Sequence, residues 1–405
     1  MTSIGNGWLR RSLLICLYAL GVFGILASGD GSDGDDIRAF TCALSVRGIA
    51  PVGDGTVWVG VFAKTNEGTE DRVVLLGIDG SEQFRHIIGD GGSENAIRAI
   101  VRDALGNIYV GGDFNGGILR LDQNGMLDMG FPVGTGFNGR VTTIVPLADG
   151  KVYVGGSFDN YDVDLVSGFV RLENNGTLDA GFGGNGATIL SVESVAMAGS
   201  NPTDDVYSGG GVSPRIERWD DNGIDIVGYD PLLGAGSVLT VTLSDLPVPN
   251  AGDIYLGGSF GNRIIRLNND GSPDGDFMVG TGFDANVNDI ALALLNAIYV
   301  GGEFTNYNGD SSNGIVRIDS SGTRDPSLMV GSGFADPDDV FPFSKVASVA
   351  PDVSLDVFVG GGFTQYDGMA ANGIVRLDPD GSLDPAFDVS ITIDGEICDS
   401  QAIPD

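Results

Sequence analysis

Carboxylates and amides recur along this chain at the spacing of a calcium-binding loop. The fullest copy is Asp378, Asp380 and Asp384, arranged around Gly381. A second is Asn268, Asp270 and Asp274, and a third Asp122, Asn124 and Asp128. Oxygen ligands at alternate positions with a turning glycine suit a hard cation such as calcium. None of the copies supplies the later bidentate glutamate of an EF-hand. The competing reading is that Asp and Asn accept hydrogen bonds from the turn backbone. Return of the pattern in repeat after repeat favours that reading, because fold-forming residues recur where ligand sites do not.

A second constellation joins rings to carboxylates. Tyr161 with Asp162, Tyr307 with Asp310, and Tyr366 with Asp367 stand in the longer loops of the chain. Tyrosine offers a stacking face and a hydrogen-bonding tip, so such a rim suits a sugar or a polar protein surface. The alternative is that these rings plug their own loops. Other chemistry is sparse. His86 is the only histidine, which excludes His-based metal centres and most triads. A glycosidase needs only two carboxylates, but nothing in the spacing singles out a pair among 55 acids. Gly89-Asp-Gly-Gly has no basic residue and no following helix to cradle a phosphate.

The elements that must position these residues repeat. A glycine core reads VWVG from Val57, IYVGG from Ile108, VYVGG from Val152, VYSGG from Val206, IYLGG from Ile254, IYVGG from Ile298 and VFVGG from Val357. First glycines, from Gly60 to Gly360, are 44 to 59 residues apart. A second signal, Arg-x-x-x-x-Gly, begins at Arg120, Arg171, Arg218, Arg266, Arg317 and Arg376, with Gly77 opening its first, shorter copy. A third, Leu-Asp-x-x-Phe, begins at Leu127, Leu178 and Leu383, with variants at Pro273 and Asp325.

Each repeat reads as four short strands: an alternating strand such as Val141-Thr-Thr-Ile-Val, the glycine core, the Ile-Val-Arg-Leu run, and the Leu-Asp-x-x-Phe segment. The expectation is an all-β chain, a seven-bladed β-propeller of four-stranded blades, in which closure removes exposed sheet edges. A parallel β-helix fits less well, since its rungs are shorter than this period. Paired glycines would let backbones approach near the axis. The core tyrosines and the Phe of the third signal would pack between sheets.

The combined pattern resembles the delta-60 repeat family of secreted bacterial proteins. The best copies are IYVGGEFTNYNG from Ile298 through Arg317-Ile-Asp, and VFVGGGFTQYDG from Val357 through Arg376-Leu-Asp-Pro-Asp-Gly-Ser-Leu-Asp. The resemblance implies propeller-like, extracellular architecture and brings no shared catalytic motif. The first repeat departs, with Gly60-Val61 and no arginine before Asp79, and so does the fourth, with Tyr207-Ser208.

Residues 1–29 read as an export signal: Arg10-Arg11, then an apolar run from Leu13 to Ala27, too short for a bilayer span. An acidic linker follows at 30–36, and residues 37–405 form the repeat domain. The formal charge of −34 repels nucleic acid and anionic lipid and attracts cations. After cleavage, Cys42 and Cys398 remain, and an even pair in an exported chain reads as a disulfide, with two free thiols as the alternative. If the end segments share a blade, the bridge would lock the ring.

The function expected is an exported, non-catalytic binding or scaffold propeller, engaging a protein or polysaccharide through its long-loop rim. Alternatives are a carboxylate-dependent carbohydrate-active enzyme and a calcium-assisted surface-layer or filament subunit.

Overall fold

A computed structural model of the chain describes residues 43–64, 69–89, 97–183, 191–197, 205–211, 215–226, 233–244, 252–337, 345–393 and 396–399. The signal at 1–29, the linker at 30–36 and Cys42 lie outside the described residues.

Every glycine core is the middle strand of its own antiparallel sheet. In the sixth sheet, for example, Ile298–Gly302 pairs with Val287–Leu292 on one side and Ile315–Ile318 on the other. The inner strand buries Val287 and Ile290, three apart because the register slips after Val287, and leaves Asn288, Asp289, Ala291 and Leu292 half-buried. All residues of the middle strand are buried, because its two faces meet neighbouring sheets.

Two expectations need correction. Among the described residues only the first sheet has four full strands, Ala43–Pro51, Val57–Lys64, Thr69–Leu76 and Glu82–Gly89. Elsewhere the Leu-Asp-x-x-Phe segment touches the sheet through a single bridge, such as Leu121 to Leu127, Leu172 to Leu178 and Leu377 to Leu383. It then turns, because the aspartate caps the next backbone N–H groups: Asp128 Oδ1 accepts from Gly130 at 2.8 Å and Asp384 Oδ1 from Ala386 at 2.8 Å. The end segments also differ. Ala43–Pro51 is the inner strand of the first sheet, whereas Ser390–Ile393 pairs with Glu396–Asp399 as a separate hairpin, with Ile391 opposite Cys398. Ser390 reaches the first sheet through a parallel bridge to Ser81.

The cores lie between sheets. Tyr109 of the second sheet is buried among Val141, Ile144 and Val154 of the third, and Tyr299 of the sixth among Val346, Val349 and Val359 of the seventh. The first glycine of each core makes room for this packing. A Cβ on Gly111 would lie 2.6 Å from Val141, and one on Gly301 would lie 2.7 Å from both Val346 and Val349. The second glycine faces backbone instead: a Cβ on Gly302 would meet Asn286 O at 2.1 Å. So the pair serves two purposes, and only the second is the close backbone approach expected from sequence.

The inner strands touch in chain order, and Ala43–Pro51 lies against both Ile97–Arg102 and Ser348–Pro351. The last sheet thus packs on the first. Gly360 faces Val46 and Ile49, Val46 N donates to Gly361 O at 3.1 Å, and Asp388 N donates to Asp79 O at 3.0 Å. The architecture is all-β and propeller-like. Among the described residues no helix is long and apolar enough to cross a membrane.

Candidate functional site

Near the start of the inner strands the register slips by one residue, between Val46 and Gly48, Ile97 and Ala99, Val141 and Thr143, Val238 and Thr240, and Val287 and Asp289. A bulge of this kind re-aims a side chain. The residues in these gaps, Arg47, Arg98, Thr142, Leu239 and Asn288, line a cavity of about 430 Å³. Glu193 and Ala347 line it from the fourth and seventh sheets. Inner strands of all seven sheets therefore contribute to one polar space.

Its charges are interleaved, and Asp113 and Glu303 both act on Arg47. Arg98 Nε donates to Asp113 Oδ2 at 2.9 Å and Arg140 Nε to Asp113 Oδ1 at 2.9 Å, so one carboxylate gathers two guanidiniums. Arg47 stands close enough to both arginines that burial, together with their charge, pushes it down to about 10. These three belong to the first, second and third sheets. Glu193, Asp289 and Glu303, of the fourth and sixth, are the carboxylates of the lining. Enclosure by protein pushes the Asp289 carboxyl up to about 6, although Oδ2 accepts from Val349 N at 2.9 Å. Sequence reasoning missed all of these residues. The signal was there: between the constant aliphatics Val46, Ile97, Val141, Val192, Val238, Val287 and Val346 and the strand that follows, one position changes type in nearly every repeat.

The residues singled out from sequence fall elsewhere. Tyr161, Tyr307 and Tyr366 are 3%, 2% and 1% exposed, so no ring face is open to a ligand. Their hydroxyls donate to the carbonyls of Gly176, Gly322 and Gly381, and each ring packs on a phenylalanine, Phe137, Phe283 or Phe334. The rings fasten their loops, which corrects the expectation of a stacking rim. Asp162 Oδ1 accepts from Thr135 N at 3.2 Å and Asp367 Oδ1 from Ser332 N at 2.8 Å, both within the loops, while Asp310 is exposed.

Of the proposed calcium ligands, Asp270 and Asp380 cap their own turns through Ser272 and Ser382. Asp274 and Asp384 hold the arginines of the second signal: Arg266 Nε donates to Asp274 Oδ2 at 2.7 Å and Arg376 Nε to Asp384 Oδ2 at 2.6 Å. Asp378 and Asp384 do converge with Asp356, with one oxygen of each within 4.8 Å of the others. Asp380 is not in that group. A pairing of Cys42 with Cys398 falls outside the described residues.

The arginines make the recurring polar unit. Arg171 Nε donates to Asp179 Oδ2 at 2.7 Å, Nη1 donates to the Tyr153 hydroxyl at 3.2 Å, and the guanidinium stacks 4.8 Å from the Phe182 centroid. The same Nη1 donates to Asp221 O of the next sheet at 2.7 Å.

The family model described as "Domain of unknown function (DUF5122) beta-propeller" matches residues 106–131, 147–182, 251–277, 298–328 and 357–387. The likeness is to a propeller-repeat family and is carried by five of the repeats. The repeats passed over are the first and fourth, the two that depart from the pattern. In the first, Trp58 and Leu75 replace the tyrosine and arginine. In the fourth, Arg218 takes its carboxylate from Asp205 instead.

Solved propellers share the fold. The extracellular domain of BT4673 from B. thetaiotaomicron aligns at TM-score 0.52 with 15% identity, over 82% of this chain. This chain spans 38% of that one. The WD40 propeller domain of Doa1 aligns at 0.51 with 14% identity, over 83% of this chain and 94% of that one. Streptogramin B lyase aligns at 0.50 with 14% identity, over 81% and 96%. No curated protein matches in sequence.

Proposed function

We propose that the propeller is an extracellular, non-catalytic binding module whose seven sheets close as seven blades and whose ligand seats in the axial cavity. Closure is supported by the contacts that join the last sheet to the first, Gly360 on Val46 and Asp388 on Asp79. Placement outside the cell is supported by the export signal and by the extracellular domain among the similar structures.

One observation carries the binding reading: seven inner strands converge on a polar cavity, and the register slips turn charged and hydrogen-bonding side chains into it. A concave site with a few convergent polar groups is where a ligand is expected. The occupant is a small polar molecule or the end of a protein or polysaccharide chain, in place of a flat surface lying on the loop tyrosines. A melting screen of the whole chain against sugars, organic acids and amino acids tests this. A ligand that raises the melting temperature in the wild type and fails to do so in Asn288→Leu supports the reading. A shift untouched by that substitution, or none with any class, refutes it.

A second reading is favoured by Asp289. A carboxyl raised to about 6, sharing a cavity with Glu193, is the pairing that acid–base chemistry on a glycoside needs. Product release from an oligosaccharide, lost in Asp289→Asn, separates an enzyme from a binder.

A further inference from the structure

Methionine stands on this fold against its usual habit. It ranks with leucine and phenylalanine among the side chains that cores bury. Six of the seven methionines lie in the described residues, and five of these (Met126, Met129, Met278, Met329 and Met369) are 50–81% exposed. Of the six, only Met197 is buried, in the apolar layer around Tyr153, Phe169 and Trp219.

The other oxidisable side chains are placed the opposite way. Every described tyrosine is at most 3% exposed, and so are Trp58 and Trp219. The described surface therefore presents thioethers and keeps its phenols and indoles inside. Oxidation of a thioether to the sulfoxide is also the reversible kind, since dedicated reductases undo it.

The five positions can take that change without loss of packing. None of them belongs to a core cluster. Where they hold the fold, they do so through backbone. Met278 N donates to Ser321 O of the next sheet at 2.8 Å, and Met329 N to Asp380 O at 2.8 Å. Met126 N donates to Asp122 Oδ1 at 2.9 Å. An oxygen on sulfur makes the side chain polar, which suits one already in water. The same change at Met197 would set a polar group in an apolar layer.

We propose that these five thioethers are reversible oxidation sites, which take oxygen from a hydroperoxide such as hydrogen peroxide while the fold stays intact. The sulfur lone pair attacks one peroxide oxygen and the O–O bond breaks. Sulfur loses two electrons and keeps that oxygen as the sulfoxide. The proton of the attacked oxygen passes to the leaving hydroxide, so one peroxide yields one sulfoxide and one water. The lining of the axial cavity holds no methionine, so these sites are independent of the ligand seat.

The test treats the full chain with graded hydrogen peroxide at neutral pH and locates the added oxygen by peptide mass spectrometry. The five are expected to oxidise first, with Met197 slower by about tenfold or more until urea unfolds the chain. The fully oxidised chain should melt within about 2 °C of the untreated one. Sulfoxide reductases of both stereospecificities should return the original mass without unfolding. A chain carrying Met126→Leu, Met129→Leu, Met278→Leu, Met329→Leu and Met369→Leu together should lose most of the uptake. Oxidation of Met197 alongside the five in the folded chain overturns the proposal. So does a melting temperature that falls in step with sulfoxide content, or product on Trp58 or Trp219 ahead of sulfoxide. Sulfoxide that the reductases leave untouched in the folded chain overturns reversibility.

Discussion

The Arg317 guanidinium in the sixth sheet donates from Nη1 to the carbonyl of Pro379 in the seventh, 2.7 Å away across 62 residues of sequence. The same nitrogen donates to the Tyr299 hydroxyl at 3.0 Å, and Nε holds Asp325 Oδ2 at 2.8 Å. Equivalent bonds run from Arg120 to Asn174 O, Arg171 to Asp221 O, Arg218 to Asn269 O and Arg266 to Ser320 O. One residue type at one place in the repeat thus fastens the second to sixth sheets each to its successor inside an apolar interface.

Removing the fastener strands its partners. Arg317→Ala leaves the Asp325 carboxylate and the Pro379 carbonyl without that donor, and the expected loss is about 2–4 kcal/mol. Arg317→Met, which refills the volume, should cost less. Urea unfolding of both variants checks this, and an Arg317→Ala midpoint equal to wild type would refute the inter-sheet role.

Glycine substitutions separate packing from backbone approach. Gly302→Val places a Cβ 2.1 Å from Asn286 O, where a backbone atom must move, and the expected cost is on the order of 3 kcal/mol or more. Gly275→Ala meets nothing within 4 Å and should leave the melting temperature nearly unchanged. A soluble Gly302→Val chain with a wild-type transition would contradict the register at that bulge.

Sequence carried the repeat and not the cavity, for a physical reason. The glycine cores, arginines and capping aspartates recur because every sheet must solve the same packing problem, so periodicity exposes them. The Leu-Asp-x-x-Phe segment has the apolar spacing of a strand, but its aspartate turns the chain after one bridge and its phenylalanine goes to the arginine. Tyr161, Tyr307 and Tyr366 were ambiguous because a buried and an exposed tyrosine look alike in sequence. Arg47, Arg98, Glu193 and Asp289 come together only once far-separated strands meet, and the variable position after each constant aliphatic does not by itself say that these side chains share one space.

Titration of Asp289 should be visible in stability. Its carboxyl keeps its proton in the folded chain up to about 6, while the unfolded chain has lost its own near the ordinary value of about 4. The folded state therefore holds more protons in that window, and this residue's contribution falls as pH rises through it. Asp289→Asn can still accept from Val349 N and should gain on wild type by about 1–2 kcal/mol between pH 4 and pH 7. Paired chemical denaturation across that range checks the sign, and a constant difference would show that Asp289 ionises as freely as in water.

Calcium should change little at the capped turns. Asp270 and Asp380 already accept from Ser272 and Ser382 at 2.9 and 3.0 Å, and Asp384 holds Arg376. Melting in EDTA and then in millimolar calcium is expected to differ by less than about 2 °C. A larger rise, abolished by Asp356→Asn, would give the Asp356, Asp378 and Asp384 group a resident ion.

Loop fastening by tyrosine gives a fifth contrast. Tyr307→Phe loses only the hydroxyl bond to Gly322 O at 2.5 Å and should cost about 1 kcal/mol. Tyr307→Ala empties the ring site against Phe283 and should cost about 3–5 kcal/mol. Thermal unfolding ranks the two, and equal values would place the ring outside the loop core.

The seat that each first glycine offers to the next sheet gives every repeat a front and a back. The front is an aliphatic pair such as Val346 and Val349, and the back is the hollow over a glycine such as Gly301. A front cannot match another front, so sheets join only head to tail, and such contacts either close or continue without limit. A half-made chain leaving the ribosome therefore carries one unfilled hollow and one bare pair of aliphatics. Until its remaining repeats arrive, a second nascent chain is as good a neighbour as its own next sheet. Synthesis speed and chaperone cover should govern the yield of this protein more than the stability of its finished fold.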